Sequence, residues 1–366
     1  MRVVVVGAGA VGSFLGGSLA EAGHDVAFLD RRDVPEGCRE PLVMAHPGGR
    51  RATVEVAVVG PAAPDAIAWA GAEPGQHPDL LVFATKQFDL PAALAMAARW
   101  PFTPALTVQN GIGAEEAVAA ARPGTGLVAG SLTAAVRLHH PAHGPEPGLD
   151  LGVAVAHRLR HGGLALAPAM GAVGPVVDAL VAAFRAAGLR TVRLRDAPAM
   201  KWSKLLGNLV GNATSALLDE DPSAIYANPR LFEIERRQLA ETVATMRALG
   251  LRPVALPGAD VRFLVLAARL PAWLGRPLMV RAVGGARGGK MPSLRLHLRH
   301  ADGPTEARWL NGAVAEAAVR TGTGAPVNAR LAALVDEAAT DPGRRAWFRG
   351  RPDRLLEAIG DLPASR

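Results

Sequence analysis

RVVVVGAGAVGSFLGGSLAEAGHDVAFLDR, residues 2–31, restricts the possible folds more than any other stretch of the chain. Val3 to Val6 are four β-branched residues in a row, the mark of a strand buried on both faces. Glycines at 7, 9 and 12 follow at once. Gly7 allows a tight turn, Gly9 lets a pyrophosphate approach the backbone, and Gly12 lets a helix lie close to the sheet. Ala8, Ala10 and Val11 complete the turn, so that phosphates would sit at a helix amino terminus. The helix is expected to end at Gly23, with DVAFLD as the next strand. A bare GxGxxG carries little weight in a chain with 41 glycines, but set in a complete strand-turn-helix-strand unit it is specific. The expected fold class is α/β, with an N-terminal Rossmann-type doubly wound parallel sheet that binds a dinucleotide.

Asp30 and Arg31 point to different cofactors. An acid about 20 positions beyond the glycines accepts hydrogen bonds from the adenine ribose and selects NAD, whereas arginine there accommodates the 2′-phosphate of NADP. Arg31 and Arg32 could hold that phosphate by charge-assisted bonds with Asp30 turned aside. The residues alone leave both cofactors open.

At 366 residues the chain is too long for one ordinary core. Two domains are expected, a Rossmann domain over 1–194 and an all-α domain over 195–366. The net charge of +7 admits a nucleic-acid partner, but the arginines are scattered and no basic block is interleaved with aromatics. An anionic small substrate or cofactor accounts for the sign equally well. The single cysteine, Cys38, excludes an internal disulfide and fits a reducing cytoplasm. No segment has the ~18 uninterrupted apolar residues of a membrane span. The amino terminus runs straight into a strand, unlike a signal peptide. A cytoplasmic protein with a small-molecule partner, and neither nucleic acid nor membrane, is the expectation.

LLVFATK (80–86) and ALTVQNGIGAEE (105–116) read as further parallel strands, which place Lys86 and Asn110 at carboxyl ends where a cofactor crevice would lie. Equally, Lys86 reads as a solvated loop lysine and Asn110 as half of an Asn-Gly turn. The histidines of RLHHPAHGPEPG (137–148) lie in a proline- and glycine-rich loop with no matching ligand cluster, so no metal site is expected. Residues 138–176 read as an insertion or mobile segment.

Past residue 195 the pattern turns helical. Asp196 and Pro198 read as a cap and first turn. In MKWSKLLGNLVGN (200–212), Lys201, Lys204, Asn208 and Asn212 fall within one helical sector roughly 80° wide, while leucines cover the other sides. The stripe could line a wet cleft or simply face solvent. Lys86, Lys201, Lys204 and Lys290 are the only lysines among 40 basic residues, and asparagine is a poor helix former, both of which favour the cleft. Lysine can release a proton near neutral pH, as carbonyl reduction requires, and guanidinium cannot. Lys204, in line with Asn208 and Asn212, is the expected donor, with Lys201 bordering the cleft. Farther on, Ser293 follows a glycine-rich loop, Glu306 is read as opening a helix that carries Asn311-Gly312, and another helix begins within 322–335. Glu306 could equally serve the helix dipole. The tail reads as a short amphipathic closure.

Together these pieces resemble the ketopantoate reductase (2-dehydropantoate 2-reductase) family. GAGAVG, TK at 85–86, QNGIG at 109–113, WSKLLGNLVGN at 202–212 and PTEARWLNG at 304–312 stand in the family's order, and the match runs to about residue 335. The resemblance implies a Rossmann domain and a helical domain with the active site between them. It implies NADPH-dependent reduction of a 2-oxo acid to a 2-hydroxy acid in pantothenate biosynthesis, and allows a homodimer. By position, Lys204 matches the proton donor, and Asn208 and Asn212 match the substrate-binding asparagines. Asn110 matches the loop asparagine near the nicotinamide, Ser293 a serine on the substrate, and Glu306 an acid beside cofactor and substrate. Arg31 and Lys86 match the basic residues around the NADPH phosphate, although Asp30 keeps NAD open. TEAR stands where the family has TEID, so Arg308 replaces an acid, and Pro222 stands where a further asparagine is expected. A paralogue acting on another C=O or C=N bond, or a non-catalytic NADP-binding sensor, would share most of these features.

Overall fold

The computed structural model describes residues 1–31, 34–35, 37–61, 67, 69, 77–139, 153–157, 162–286, 291–300 and 302–360. They fall into two compact units. One comprises Met1–Gln109, Ala114–Met200 and Leu256–Ala259, and the other Asn110–Gly113, Lys201–Ala255 and Asp260–Arg366.

The first unit is built on a sheet of 11 strands. They are β1 (Arg2–Val6), β2 (Asp25–Leu29), β3 (Arg39–Ala45), β4 (Arg51–Val59), β5 (Leu80–Phe83), β6 (Ala105–Thr107), β7 (Leu127–Leu132), β8 (Ala135–His139), β9 (Val153–His157), β10 (Leu164–Met170) and β11 (Thr191–Arg193). The order is β11-β10-β7-β6-β5-β1-β2-β4-β3-β9-β8. From β7 through β4 every pairing is parallel, while antiparallel pairings flank this centre. This is the doubly wound Rossmann-type sheet that the valine run and glycine turn lead one to expect.

The four valines of β1 explain the two covered faces. Side chains alternate along a strand, so Val3 and Val5 enter one core with Phe14, Leu15 and Leu19 of helix α1 (Ala10–Glu21), while Val4 and Val6 enter the other. That second core takes in Leu90 and Ala93 of α2 (Leu90–Met96) and Ala114 and Val118 of α3 (Ala114–Ala121). Helix α4 (Gly174–Ala186) adds Val177, Leu180 and Phe184 to the first. Each fully buried valine contributes about 1.5–3 kcal/mol relative to exposure.

Within 138–176, read as an insertion or mobile segment, two stretches are regular strands. β9 pairs in parallel with β3, and β10 pairs with both β7 and β11, so both belong to the sheet. Residues 140–152 and 158–161, with most of the histidine loop, lie outside the described residues.

The second unit is helical. Helix α5 (Ala197–Leu209) starts in the first unit and continues into the second from Lys201. Asp196 caps it as expected, its Oδ1 accepting the Ala199 amide at 2.8 Å. There follow α6 (Ala213–Leu218), α7 (Pro222–Ala227), α8 (Pro229–Ala248), α9 (Arg262–Arg269), α10 (Ala272–Ala286), α11 (Ser293–His300), α12 (Asn311–Thr321), α13 (Pro326–Thr340), α14 (Pro342–Phe348) and α15 (Pro352–Ile359). Their core joins Leu205, Leu206 and Leu209 to Phe232, Leu331, Phe348 and Leu355. No described helix is long and apolar enough to cross a membrane.

The 200–212 stretch is not one continuous helix. α5 stops at Leu209, Gly211 adopts φ +55°, and Asn212 immediately precedes α6. Lys201, Lys204 and Asn208 therefore share one helix, while Asn212 lies past a turn closed by its amide on the Leu209 carbonyl at 3.1 Å.

Candidate active site

In the first unit the candidate nucleotide-binding residues gather at one end of three adjacent parallel strands. The Gly7–Gly12 turn follows β1, Arg31 lies two residues beyond β2, and Lys86 three beyond β5. These are carboxyl ends, where an open α/β sheet receives ligands. A Cβ at Gly12 would overlap the Gly7 carbonyl oxygen, so only glycine allows α1 to start so near the strand. A Cβ at Gly9 would meet nothing within 4 Å. Gly9 is also the residue preceding α1, so the open space lies at a helix amino terminus, with Ala8, Ala10 and Val11 beside it. That room and those first-turn amides fit a pyrophosphate.

Asp30 is buried, at 8% exposure, and its amide donates to the Val59 carbonyl at 2.9 Å. Arg31 and Lys86 are exposed. Exposed arginine and lysine side chains can meet an anionic group by charge-assisted bonds. A separate cavity of about 640 Å³, lined by Arg2, His24, Asp25, Arg39, Glu55 and Asp79, sits at the opposite, amino-terminal ends of β1 and β2. Its position in the sheet is wrong for the dinucleotide.

In the second unit, hydrogen bonds join residues from distant parts of the sequence. Asn208 Nδ2 donates to Asn110 Oδ1 at 3.2 Å. Asn212 Nδ2 donates to Ser293 Oγ at 3.4 Å, and its Oδ1 accepts the Leu294 amide at 3.1 Å. Asn212 thereby satisfies an amide at the start of α11 while reaching Ser293. Lys204 lies four residues before Asn208 on α5, hence on the same helical face. It is half-buried, whereas Lys201 is buried at 4% exposure.

Asn110 is held by its neighbours in QNGIG. Gly111 has φ +85°, and a Cβ there would overlap the Trp309 carbonyl oxygen, which accepts the Ile112 amide at 3.0 Å. Glycine is needed for both reasons. Trp309 belongs to the Ala307–Trp309 3₁₀ turn that follows Glu306. Glu306 is buried, and its carbonyl accepts the Trp309 and Leu310 amides. The expected helix with Glu306 at its start is thus a single 3₁₀ turn, and α12 begins only at Asn311.

The sequence matches two family descriptions, "Ketopantoate reductase PanE/ApbA" over residues 3–144 and "Ketopantoate reductase PanE/ApbA C terminal" over residues 196–339. The chain belongs to the ketopantoate reductase family. It is an oxidoreductase acting on CH–OH groups. It is 28% identical to a 2-dehydropantoate 2-reductase of Halobacterium salinarum, over 93% of this chain and 100% of that one. A 2-dehydropantoate 2-reductase of Geobacter metallireducens has the same fold, with TM-score 0.67 and 25% identity over 93% of this chain and all of that one. A D-mandelate dehydrogenase solved with NADH and anilino(oxo)acetate is similar in fold alone, at TM-score 0.67 and 17% identity over 95% of this chain and 99% of that one.

This ketopantoate reductase family chain also carries a polar network in the helical core that its sequence does not announce. Glu235, Gln238 and Glu241 follow one another along α8, each at or near zero exposure. Glu235 Oε2 accepts the Gly211 amide at 2.7 Å and the Tyr226 hydroxyl at 2.8 Å, and its Oε1 accepts the Thr214 hydroxyl at 2.6 Å. Gln238 Oε1 accepts from Asn311 Nδ2 at 2.9 Å, and Asn311 also donates to Asn328 Oδ1 at 3.0 Å. Glu241 accepts the Val327 and Asn328 amides at the start of α13, each at 3.0 Å. Burial pushes both glutamate carboxyl groups up, against the downward pull of their donors. The spacing of three on an otherwise charged helix reads as a solvent face, so no signal in the sequence alone separates these residues from exposed ones.

The two departures noted in the sequence have structural counterparts. Arg308 is exposed, with Nε 3.8 Å from Glu316. Pro222 packs beside Gly211, where a Cβ would stand 3.0 Å from the proline Cβ.

Proposed function

We propose that the chain reduces a 2-oxo acid, ketopantoate or a close relative, to the 2-hydroxy acid with NADPH, and that Lys204 is the general acid. One observation carries the reading. Asn110, Asn208, Asn212 and Ser293 come from three separate parts of the sequence yet form two hydrogen-bonded pairs in one unit, and Lys204 sits a helical turn before Asn208.

Each group has work suited to its chemistry. The asparagine amides and the Ser293 hydroxyl can donate to the substrate carboxylate and fix its orientation. The Lys204 ammonium stabilises negative charge growing on the carbonyl oxygen and transfers its proton there, then regains one from solvent. NADPH, cradled at Gly7, Ala8, Gly9, Ala10, Val11 and Gly12 with its 2′-phosphate toward Arg31 and Lys86, would supply the hydride. Asn110 and Glu306 are assigned as further cofactor contacts. The exposure of Arg31 and Lys86 and the burial of Asp30 favour NADPH over NADH.

Pro222 and Arg308, standing where the family resemblance leads to asparagine and an acid, favour a second reading in which the 2-oxo acid is not ketopantoate. NADPH and NADH oxidation measured against a panel of 2-oxo acids that includes ketopantoate tests reaction, substrate and cofactor together. Turnover with none of them would refute the proposal.

A further inference from the structure

Asn208 and Asn212 stand on either side of a break in the chain, and their relative placement depends on what fixes that break. Gly211, at φ +55°, lies within it. The only tyrosine of the chain, Tyr226, and Thr214 of α6 converge with the Gly211 amide on one fully buried carboxyl group, that of Glu235. Gln238, one helical turn along α8, donates to the Leu209 carbonyl at 3.4 Å, the last residue of α5. Pro222 occupies the space into which a Cβ at Gly211 would point. The turn is therefore held by α8 and packed against the first residue of α7.

We propose that Glu235 is a positioning residue for the reaction, setting the turn at Gly211 so that Asn208 and Asn212 present their amides to the same 2-oxo acid. The inference rests on the reading of those asparagines as substrate ligands. The hydrogen bonds of Glu235 go to Gly211, Thr214 and Tyr226 and to neither asparagine, so its effect passes through backbone geometry. A carboxyl side chain is suited to the task because one oxygen meets two partners while the other meets a third, binding α6, α7 and the turn to α8 together.

The test compares Glu235→Ala with Glu235→Gln in the full chain. The alanine variant is expected to raise KM for the 2-oxo acid and lower kcat, together on the order of 10-fold or more in kcat/KM, since small misplacements of binding groups carry large rate penalties. Its affinity for NADPH, measured by fluorescence titration, should stay as in the parent protein. Glutamine should restore most of kcat/KM: its carbonyl oxygen can accept from Gly211 and Tyr226, and its NH2 can donate to a rotated Thr214 hydroxyl. A purely structural role would lower the melting temperature of the alanine variant while leaving KM and kcat, measured well below that temperature, unchanged; that result overturns the proposal. Should Glu235→Ala fail to fold, Tyr226→Phe and Thr214→Val each remove one donor, and unchanged kinetics in both would overturn it equally. If Asn208→Ala and Asn212→Ala leave KM unaltered, the reading of the site fails and this inference with it. Losses at the asparagines with none at Glu235 reject the inference alone.

Discussion

Asn208 donates to Asn110 at 3.2 Å across 98 positions of sequence. The bond ties the middle of α5 to a four-residue segment, 110–113, that departs from the sheet-bearing unit. Its neighbour Gly111 rests against the Trp309 carbonyl, so three remote parts of the chain meet around one asparagine pair.

If the pair acts as a unit, Asn110→Ala and Asn208→Ala should each raise KM for the 2-oxo acid, and the double variant should cost less than the two combined. A coupling of about 0.5–3 kcal/mol in kcat/KM is expected for side chains in direct contact. Additive losses would mean that each asparagine works alone.

Lys204→Ala should lower kcat by ~10² or more, the range of a lost general acid. Lys204→Arg should recover little, because guanidinium keeps the positive charge but does not yield its proton. Steady-state NADPH oxidation distinguishes the cases, and an arginine variant with parental kcat would reduce the lysine to an electrostatic role.

Arg31→Ala should raise the KM for NADPH far more than that for NADH, since only the former has a 2′-phosphate to lose its partner. Equal changes for both cofactors would count against a phosphate contact at this exposed side chain.

Gly111→Ala combines a φ of +85° with an overlap on the Trp309 carbonyl oxygen. Alanine is strained in that conformation, and the contact must open as well, so a loss above ~1 kcal/mol is expected in denaturant unfolding. A parallel rise in KM would report displacement of Asn110.

Glu235 also sets a pH dependence. Burial first, only partly offset by its donors, raises the carboxyl pKa in the folded chain, so the native state retains a proton that the unfolded state releases. The contribution is fully present below the ordinary glutamate range and diminishes as pH rises through the raised value. Glu235→Gln removes that titration, and its melting temperature should gain on the parent as pH climbs. Parallel profiles for the two proteins would argue against the assignment.

Much of the first unit was legible because its signals are local. Val3–Val6, the glycine turn and DVAFLD announce strand, turn, helix and strand within thirty residues, and each is read by period or by the absence of a Cβ. β9 and β10 were not, because prolines and glycines around 141–148 mask the strand pattern and the pairing partners β3 and β7 are remote in sequence. In the candidate site, Lys204 and Asn208 follow helical spacing and so share a face. Asn212 follows the same spacing, yet the helix ends before it, at a turn whose Gly211 amide bonds an acceptor 24 residues away. Glu235, Gln238 and Glu241 look like the outer face of an amphipathic helix until the helices around them are assembled. Ser293 and Asn110 could be named from motif order, but the side chains that bond them come from elsewhere in the chain.

The excursion of residues 110–113 has a practical side for anyone recombining these proteins. The sequence passes from one compact unit to the other at five junctions, 109/110, 113/114, 200/201, 255/256 and 259/260. A chimaera made by a single cut near residue 200 would pair a foreign QNGIG segment with the resident Trp309 and Asn208. Exchanging a whole helical module between relatives therefore demands that this tetrapeptide travel with it.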